Sequence, residues 1–142
     1  MADTEYFDYR KAVENIEGTI RALQPPKTLL LVDDDSADIL LTLKILNLFN
    51  VKVTVAHSGE EARDTIQNKN FDLVLFDLVM PGLDGLEFAL GAAGLMPGAR
   101  FILVTGYPLS PKVEAVLRLG AVMLAKPLTR QSLELILPLK PR

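Results

Sequence analysis

At 142 residues, with 49% apolar and 23% charged side chains, the chain has the size and composition of one globular domain able to bury a core. A net charge of −3 gives no basic footprint for nucleic acid or an anionic membrane, and the lack of cysteine excludes disulfides, thiolate metal sites and thiol nucleophiles. The opening MADTEYFDYRK lacks the basic start and apolar centre of a signal peptide, and no apolar run approaches the roughly 20 residues of a membrane helix, so a soluble cytoplasmic protein without a membrane partner is expected.

The first 26 residues are expected to form a unit of their own. Tyr6, Tyr9, Val13, Ile16, Ile20 and Leu23 are spaced 3, 4, 3, 4, 3, which predicts an amphipathic helix with a heptad seam ending at Pro25-Pro26. The seam is shorter than the about three to four heptads of a firm coiled coil, and Gly18 weakens it further. Two readings stay open: a helix docked on its own domain, or a partner contact. The contact would be a homodimer through this helix or the tail of a signalling helix from an upstream module.

Residues 27–142 form the second expected unit, and over 27–137 short β-like runs alternate with helical patterns, which predicts an α/β fold with a parallel sheet. TLLLV (28–32) reads as a strand covered on both faces. A helix follows, with Ile39, Leu40, Leu43 and Leu46 at helical spacing, Asp35 or Ser36 as its cap, and Asp38 suited to the positive end of its dipole. VKVTV (51–55) alternates like an edge strand, and Ser58 caps a helix that carries Glu60 and Glu61 in its first turn.

DLVLF (72–76) is a second wholly apolar strand, and a PGLDG turn leads to a helix from about Leu83. That helix is weakened by Gly91 and Gly94, at about 1 kcal/mol each relative to alanine. FILV (101–104) is the next strand; Ser110 and Pro111 then open a helix that Gly120 stops. AVMLA (121–125) is the last strand, before a short final helix from about Thr129 that Pro138 would break. Five strands and five helices are predicted, with no internal repeat.

Four of the apolar runs end on polar residues that phosphoryl chemistry can use: Asp33-Asp34-Asp35, Asp77, Thr105, and Lys126-Pro127. In a parallel sheet all four endings reach the carboxyl edge, where sites form in open α/β folds. Carboxylates crowded there either raise a pKa or recruit a cation, and oxygen ligands of this kind suit hard Mg²⁺. Asp77 is then placed to attack phosphorus, Lys126 to neutralise phosphoryl oxygens, and the Thr105 hydroxyl to donate to one of them.

DDD after the first strand, VLFDLVMPGLDG around the third, Thr105 after the fourth and Lys126-Pro127 after the fifth resemble, in that order, a response-regulator receiver domain of the CheY-like superfamily. The resemblance covers roughly residues 27–137. It implies a doubly wound five-stranded parallel sheet of order 2-1-3-4-5 flanked by five helices, to which the N-terminal amphipathic helix is an addition. It also implies Asp77 as phosphoacceptor, Mg²⁺ held by Asp34 directly, by Asp33 mainly through water, by Asp77 and by the Val79 backbone carbonyl. Lys126 would contact the phosphoryl group, Pro127 follow it through a cis bond, and Thr105 act as the switch hydroxyl. Asp35 matches no ligand position and is better explained as a helix cap. Pro81, Gly82 and Gly85 shape the loop after Asp77.

Two positions depart from the family. The inward-turning aromatic expected three residues before the lysine is Met123, which can fill a vacated pocket but lacks a ring. Val79 and Tyr107, two residues after Asp77 and Thr105, are not the small polar groups that guide an attacking water, so slow self-dephosphorylation is expected. Other residues have ordinary explanations. His57 is too isolated for a metal site, Ser58 has no paired base, and Lys112 and Arg118 lie on a solvated helix face. No Gly-rich phosphate loop is present.

The expected function is a signalling module rather than an enzyme. A histidine kinase or phosphotransfer protein supplies the phosphoryl group, and the phosphorylated surface changes affinity for a downstream protein target. With no output domain after residue 137, a stand-alone receiver or one cut from a hybrid kinase or larger regulator is expected. The alternatives are a receiver-like interaction module that works without phosphate, and a Mg²⁺-dependent phosphohydrolase with an aspartyl nucleophile. The latter needs an acidic residue two positions after Asp77, where this chain has Val79.

Overall fold

The computed structural model describes residues 25–136 together with residues 10, 12 and 13. Arg10, Ala12 and Val13 are helical; the rest of the expected N-terminal amphipathic helix, and any homodimer built on it, lies outside the described residues.

Ten elements alternate: β1 (Thr28–Val32), α1 (Ser36–Leu46), β2 (Lys52–Ala56), α2 (Gly59–Asn68), β3 (Leu73–Asp77), α3 (Gly85–Leu95), β4 (Arg100–Thr105), α4 (Pro111–Leu117), β5 (Val122–Ala125) and α5 (Arg130–Ile136). The strands form one parallel sheet of order β2-β1-β3-β4-β5, the order the family resemblance implied. None of the helices is long and apolar enough to cross a membrane, among the described residues.

The wholly apolar strands follow from the layers around them. Side chains alternate across a strand, so Leu29 and Leu31 of β1, Leu73 and Leu75 of β3, and Ile102 and Val104 of β4 enter one core with Ile39, Leu46 and Leu133 from α1 and α5. Leu30, Val32, Val74, Phe76 and Leu103 enter the opposite core with Ala62 and Ile66 of α2, Phe88 and Ala92 of α3, and Val113 and Val116 of α4. β2 borders the sheet and is covered less completely, in keeping with its alternating sequence.

Local side-chain hydrogen bonds start each of the first four helices. The Asp35, Ser58 and Ser110 side chains accept the backbone N–H of Asp38, Glu61 and Lys112, at 3.0, 3.0 and 3.4 Å. α3 begins at Gly85 rather than near Leu83, because the Asp84 carboxylate caps it by accepting the Glu87 N–H at 3.0 Å. Both Gly91 and Gly94 lie inside that helix.

Gly85 is required by close approach. Its N–H donates to the Leu78 carbonyl at 3.0 Å, closing the base of the loop after β3. A Cβ there would run into the Asp77 carbonyl and stand 2.9 Å from the Leu78 Cα. Gly91 faces open space, with nothing within 4 Å of its would-be Cβ. Opposite outcomes follow for one substitution type. Gly85→Ala should lower stability by about 1–3 kcal/mol through backbone displacement, while Gly91→Ala should raise it by about 0.5–1 kcal/mol through helix propensity. Urea unfolding of both variants checks the signs, and two changes of the same sign would contradict this account.

Candidate functional site

The strand register places the four polar endings together. Val32 is opposite Phe76, so Asp33 follows β1 at the level where Asp77 ends β3. Asp77 pairs with Val104, which puts Thr105 one step further along β4, and Thr105 pairs with Ala125, the residue before Lys126. The Lys126 N–H donates to the Thr105 carbonyl at 2.8 Å, extending the β4–β5 ladder into the site. The Lys126–Pro127 bond is cis.

Three carboxylates converge at this edge. Asp33, Asp34 and Asp77 each present an oxygen within 4.8 Å of the other two. That is close to the roughly 4.2 Å separating two oxygens on opposite sides of a cation with Mg²⁺-like bond lengths. The donors are all hard oxygens, so chemistry and spacing both fit a small divalent cation. Asp33 is buried, Asp77 half-buried and Asp34 exposed, so a cation could reach the cluster from solvent on the Asp34 side.

The Lys126 ammonium sits in the same space. Its Nζ is 2.8 Å from Asp38 Oδ2, 3.3 Å from Asp33 Oδ2 and 3.4 Å from Asp77 Oδ2. Burial opposes the charged form of Lys126, but the Asp38 hydrogen bond and the charges of Asp77, Asp33 and Asp38 prevail and hold its pKa above the ordinary lysine value. Asp33 is occupied on both oxygens, since Oδ1 accepts the Asp35 N–H at 3.0 Å and Oδ2 accepts from Lys126. Asp77 Oδ1 accepts the Leu78 N–H at 2.8 Å.

Thr105 is buried, and its Oγ1 accepts the Tyr107 N–H at 2.9 Å. That bond uses an acceptor lone pair, so the hydroxyl keeps its own proton for donation. Val79 and Tyr107 are both exposed on the loops that flank Asp77 and Thr105. Met123 is partly buried against the core shared by α2, α3 and α4.

The loop after Asp77 is held from two sides by residues to which the sequence pattern gives only roles on their own helices. Glu60 Oε1 of α2 accepts the Leu83 N–H at 2.7 Å, and this bond is the largest influence holding the Glu60 carboxyl below its usual value. Lys112 of α4 donates to Asp84 Oδ2 at 2.7 Å, so it does more than solvate a helix face. Asp38 was assigned only to the helix dipole, yet it is the nearest anion to Lys126. Its first-turn position, with a helix N-terminus facing the carboxyl edge, was the available signal. His57 is exposed, and its ring lies 3.4 Å from Glu61.

Burial raises the Asp77 carboxyl above its ordinary 3.8; Lys126 opposes the rise and Asp33 adds to it. A carboxyl raised on folding binds its proton more tightly in the native state, so ionising it costs native stability as pH rises above 3.8 through the raised value. Asp77→Asn removes that cost. In metal-free buffer it should melt above the wild type at pH 7, and the margin should shrink as pH falls toward 3.8. A margin that grows on acidification would oppose the burial argument.

Known proteins resemble this chain in sequence and in fold. The profile of the response regulator receiver domain matches residues 29–137. Transcription factor SKN7 of Saccharomyces cerevisiae is 32% identical over 131 residues, covering 92% of this chain and 21% of that protein, so the chain spans about a fifth of that relative's length. The crystal structure of a CheY-like receiver domain protein from Methanospirillum hungatei superposes with a TM-score of 0.71 at 35% identity, covering 76% of this chain and 87% of that one. The receiver domain of sensor histidine kinase PA1611 from Pseudomonas aeruginosa, solved with a magnesium ion in its active site cleft, gives a TM-score of 0.70 at 26% identity, covering 78% and 93%. With its five-stranded sheet in the same order and the family profile covering most of its length, this chain belongs to the receiver domains of two-component response regulators.

Proposed function

We propose that the chain accepts a phosphoryl group on Asp77 from a phosphohistidine of a histidine kinase or phosphotransfer protein, and that the phosphorylated form changes its contacts with a downstream protein. The observation that carries this reading is the meeting of Asp33, Asp34 and Asp77 oxygens within 4.8 Å beside an ammonium 3.4 Å from Asp77. Asp34 is the exposed carboxylate of the set and would ligate Mg²⁺ directly. Asp33, with both oxygens engaged by protein donors, would act mainly through water. The Val79 carbonyl and Asp77 complete the proposed ligand set. Bound there, Mg²⁺ would neutralise charge on the carboxylates and on phosphoryl oxygens.

In the transfer, an Asp77 carboxylate oxygen forms the new bond to phosphorus as the bond from phosphorus to the donor nitrogen breaks. The electron pair of the broken bond stays on the donor imidazole. Lys126 steadies the equatorial oxygens as their charge redistributes, which is most of what a loose phosphoryl transition state needs from the protein. The Thr105 hydroxyl then donates to a phosphoryl oxygen. This movement disturbs the bond that Thr105 Oγ1 accepts from Tyr107, so the β4–α4 loop registers the change.

Neither Val79 nor Tyr107, both exposed, is a small polar group that guides an attacking water, so the acyl phosphate should be long-lived. Position 79 also lacks the carboxylate that an aspartyl phosphohydrolase would use to protonate its leaving group.

Incubation with Mg²⁺ and acetyl phosphate, followed by intact mass measurement, tests the assignment. The wild type should gain one phosphoryl group, Asp77→Asn none, and Lys126→Ala should react slower by roughly 100-fold, the cost of losing one charge-stabilising donor. After donor removal the adduct should decay slowly. An equal gain in the Asp77→Asn protein would reject the acceptor, and release of phosphate over many turnovers would favour the hydrolase.

A further inference from the structure

The Lys126 ammonium has three carboxylate neighbours, and its shortest contact is to the one that phosphoryl transfer does not use. Asp38 Oδ2 is 2.8 Å away, against 3.3 Å for Asp33 and 3.4 Å for Asp77. Asp38 comes from the first turn of α1, where the Asp35 cap accepts its backbone N–H. It therefore occupies a fixed place on an element that carries neither the acceptor nor the switch hydroxyl.

An ammonium has three N–H donors. Two of them donate to Asp33 and Asp38, and the third faces Asp77 at 3.4 Å. Phosphorylation of Asp77 moves negative charge outward, and an ammonium that follows it loosens one of the two hydrogen bonds. The partners differ in what they lose. The Asp33 side chain is only 6% exposed, so losing Lys126 would strand a buried charge. The Asp38 side chain is 40% exposed and can be rehydrated where it stands. Asp38 is thus the partner that gives way.

We propose that Asp38 is a positioning residue that retains the Lys126 ammonium in the resting domain and yields it to the phosphoryl group on Asp77. In the resting state it also adds a negative charge beside the approach of an anionic phosphodonor. The strength of the Asp38–Lys126 contact then sets how readily the site is phosphorylated and how far the product is favoured. This inference rests on the phosphoacceptor role proposed above.

The test compares the wild-type chain, Asp38→Asn and Asp38→Ala. Asparagine keeps the volume and an acceptor oxygen but removes the charge, so it serves if the alanine variant folds poorly. Phosphorylation rates are measured against acetyl phosphate concentration at saturating Mg²⁺. A second readout is the ¹⁵N spectrum of the Lys126 side chain in metal-free, unphosphorylated protein.

Asp38→Ala should lower the KM for acetyl phosphate by roughly threefold to fivefold, the upper range of one half-exposed ion pair, with Asp38→Asn between it and wild type. Solvent exchange of the Lys126 ammonium protons should speed up in both variants. Slower phosphorylation in both would mean that Asp38 supports Lys126 in its productive pose, and would overturn the proposal. Rates within twofold of wild type would overturn it as well. If the wild type itself takes up no phosphoryl group, the phosphoacceptor role falls and this inference falls with it; if the wild type reacts and the variants match it, the inference alone is lost.

Discussion

Carboxylate repulsion at the carboxyl edge of the sheet is the constraint around which this domain is arranged. Asp33, Asp34 and Asp77 approach within 4.8 Å in a space that is half closed to water. At that range like charges repel by several kcal/mol in an intermediate dielectric of about 20. The fold relieves this with a single ammonium: Lys126 contacts Asp33, Asp77 and a fourth carboxylate, Asp38. One positive charge among four negative ones leaves the cluster under-compensated. Burial raises the Asp77 carboxyl against the pull of Lys126, with a smaller push from Asp33. The hard oxygens and the uncompensated charge of this cluster fit a small divalent cation.

The rest of the structure makes the crowding unavoidable. Buried strands fix where Asp33 and Asp77 emerge, because slipping β1 or β3 by one residue would turn its apolar side chains into the wrong core. Phe76, immediately before Asp77, is locked by edge-on contacts with Phe88 at 6.1 Å and Phe101 at 6.3 Å. Beyond Asp77 the loop is closed by the Gly85–Leu78 hydrogen bond and held by Glu60 and Lys112. By contrast the β4–α4 loop carries Tyr107 at 66% and Leu109 at 96% exposure. The Asp77 side is tied down by these contacts, and the Thr105 side opens onto an exposed loop.

Much of this was legible in the sequence where the determinant is local or periodic. Runs such as TLLLV and DLVLF announce covered strands, and the Asp35, Ser58 and Ser110 caps act on residues two or three positions away. The polar residues that end the strands identify the site because a parallel sheet delivers every ending to one edge. The strand order came only through the family resemblance, since spacing alone does not show which strands are neighbours. Asp84 was absorbed into a turn motif, so the start of α3 was placed too early. The contacts of Asp38 with Lys126, 88 residues apart, and of Lys112 with Asp84, 28 apart, depend on how helices pack against loops. No periodicity encodes them. Met123 was recognised as a departure from the family, and its place against the α2–α4 core required the assembled sheet.

The central claim is that the crowded carboxylates form one cation site beside Lys126. Titration of ¹⁵N-labelled protein with Mg²⁺, followed residue by residue, addresses it most directly. Saturable one-to-one shifts should concentrate at residues 33–35, 77–79 and 126. Shifts that never saturate, or that centre on the solvent-exposed carboxylates of α2 instead, would contradict the account.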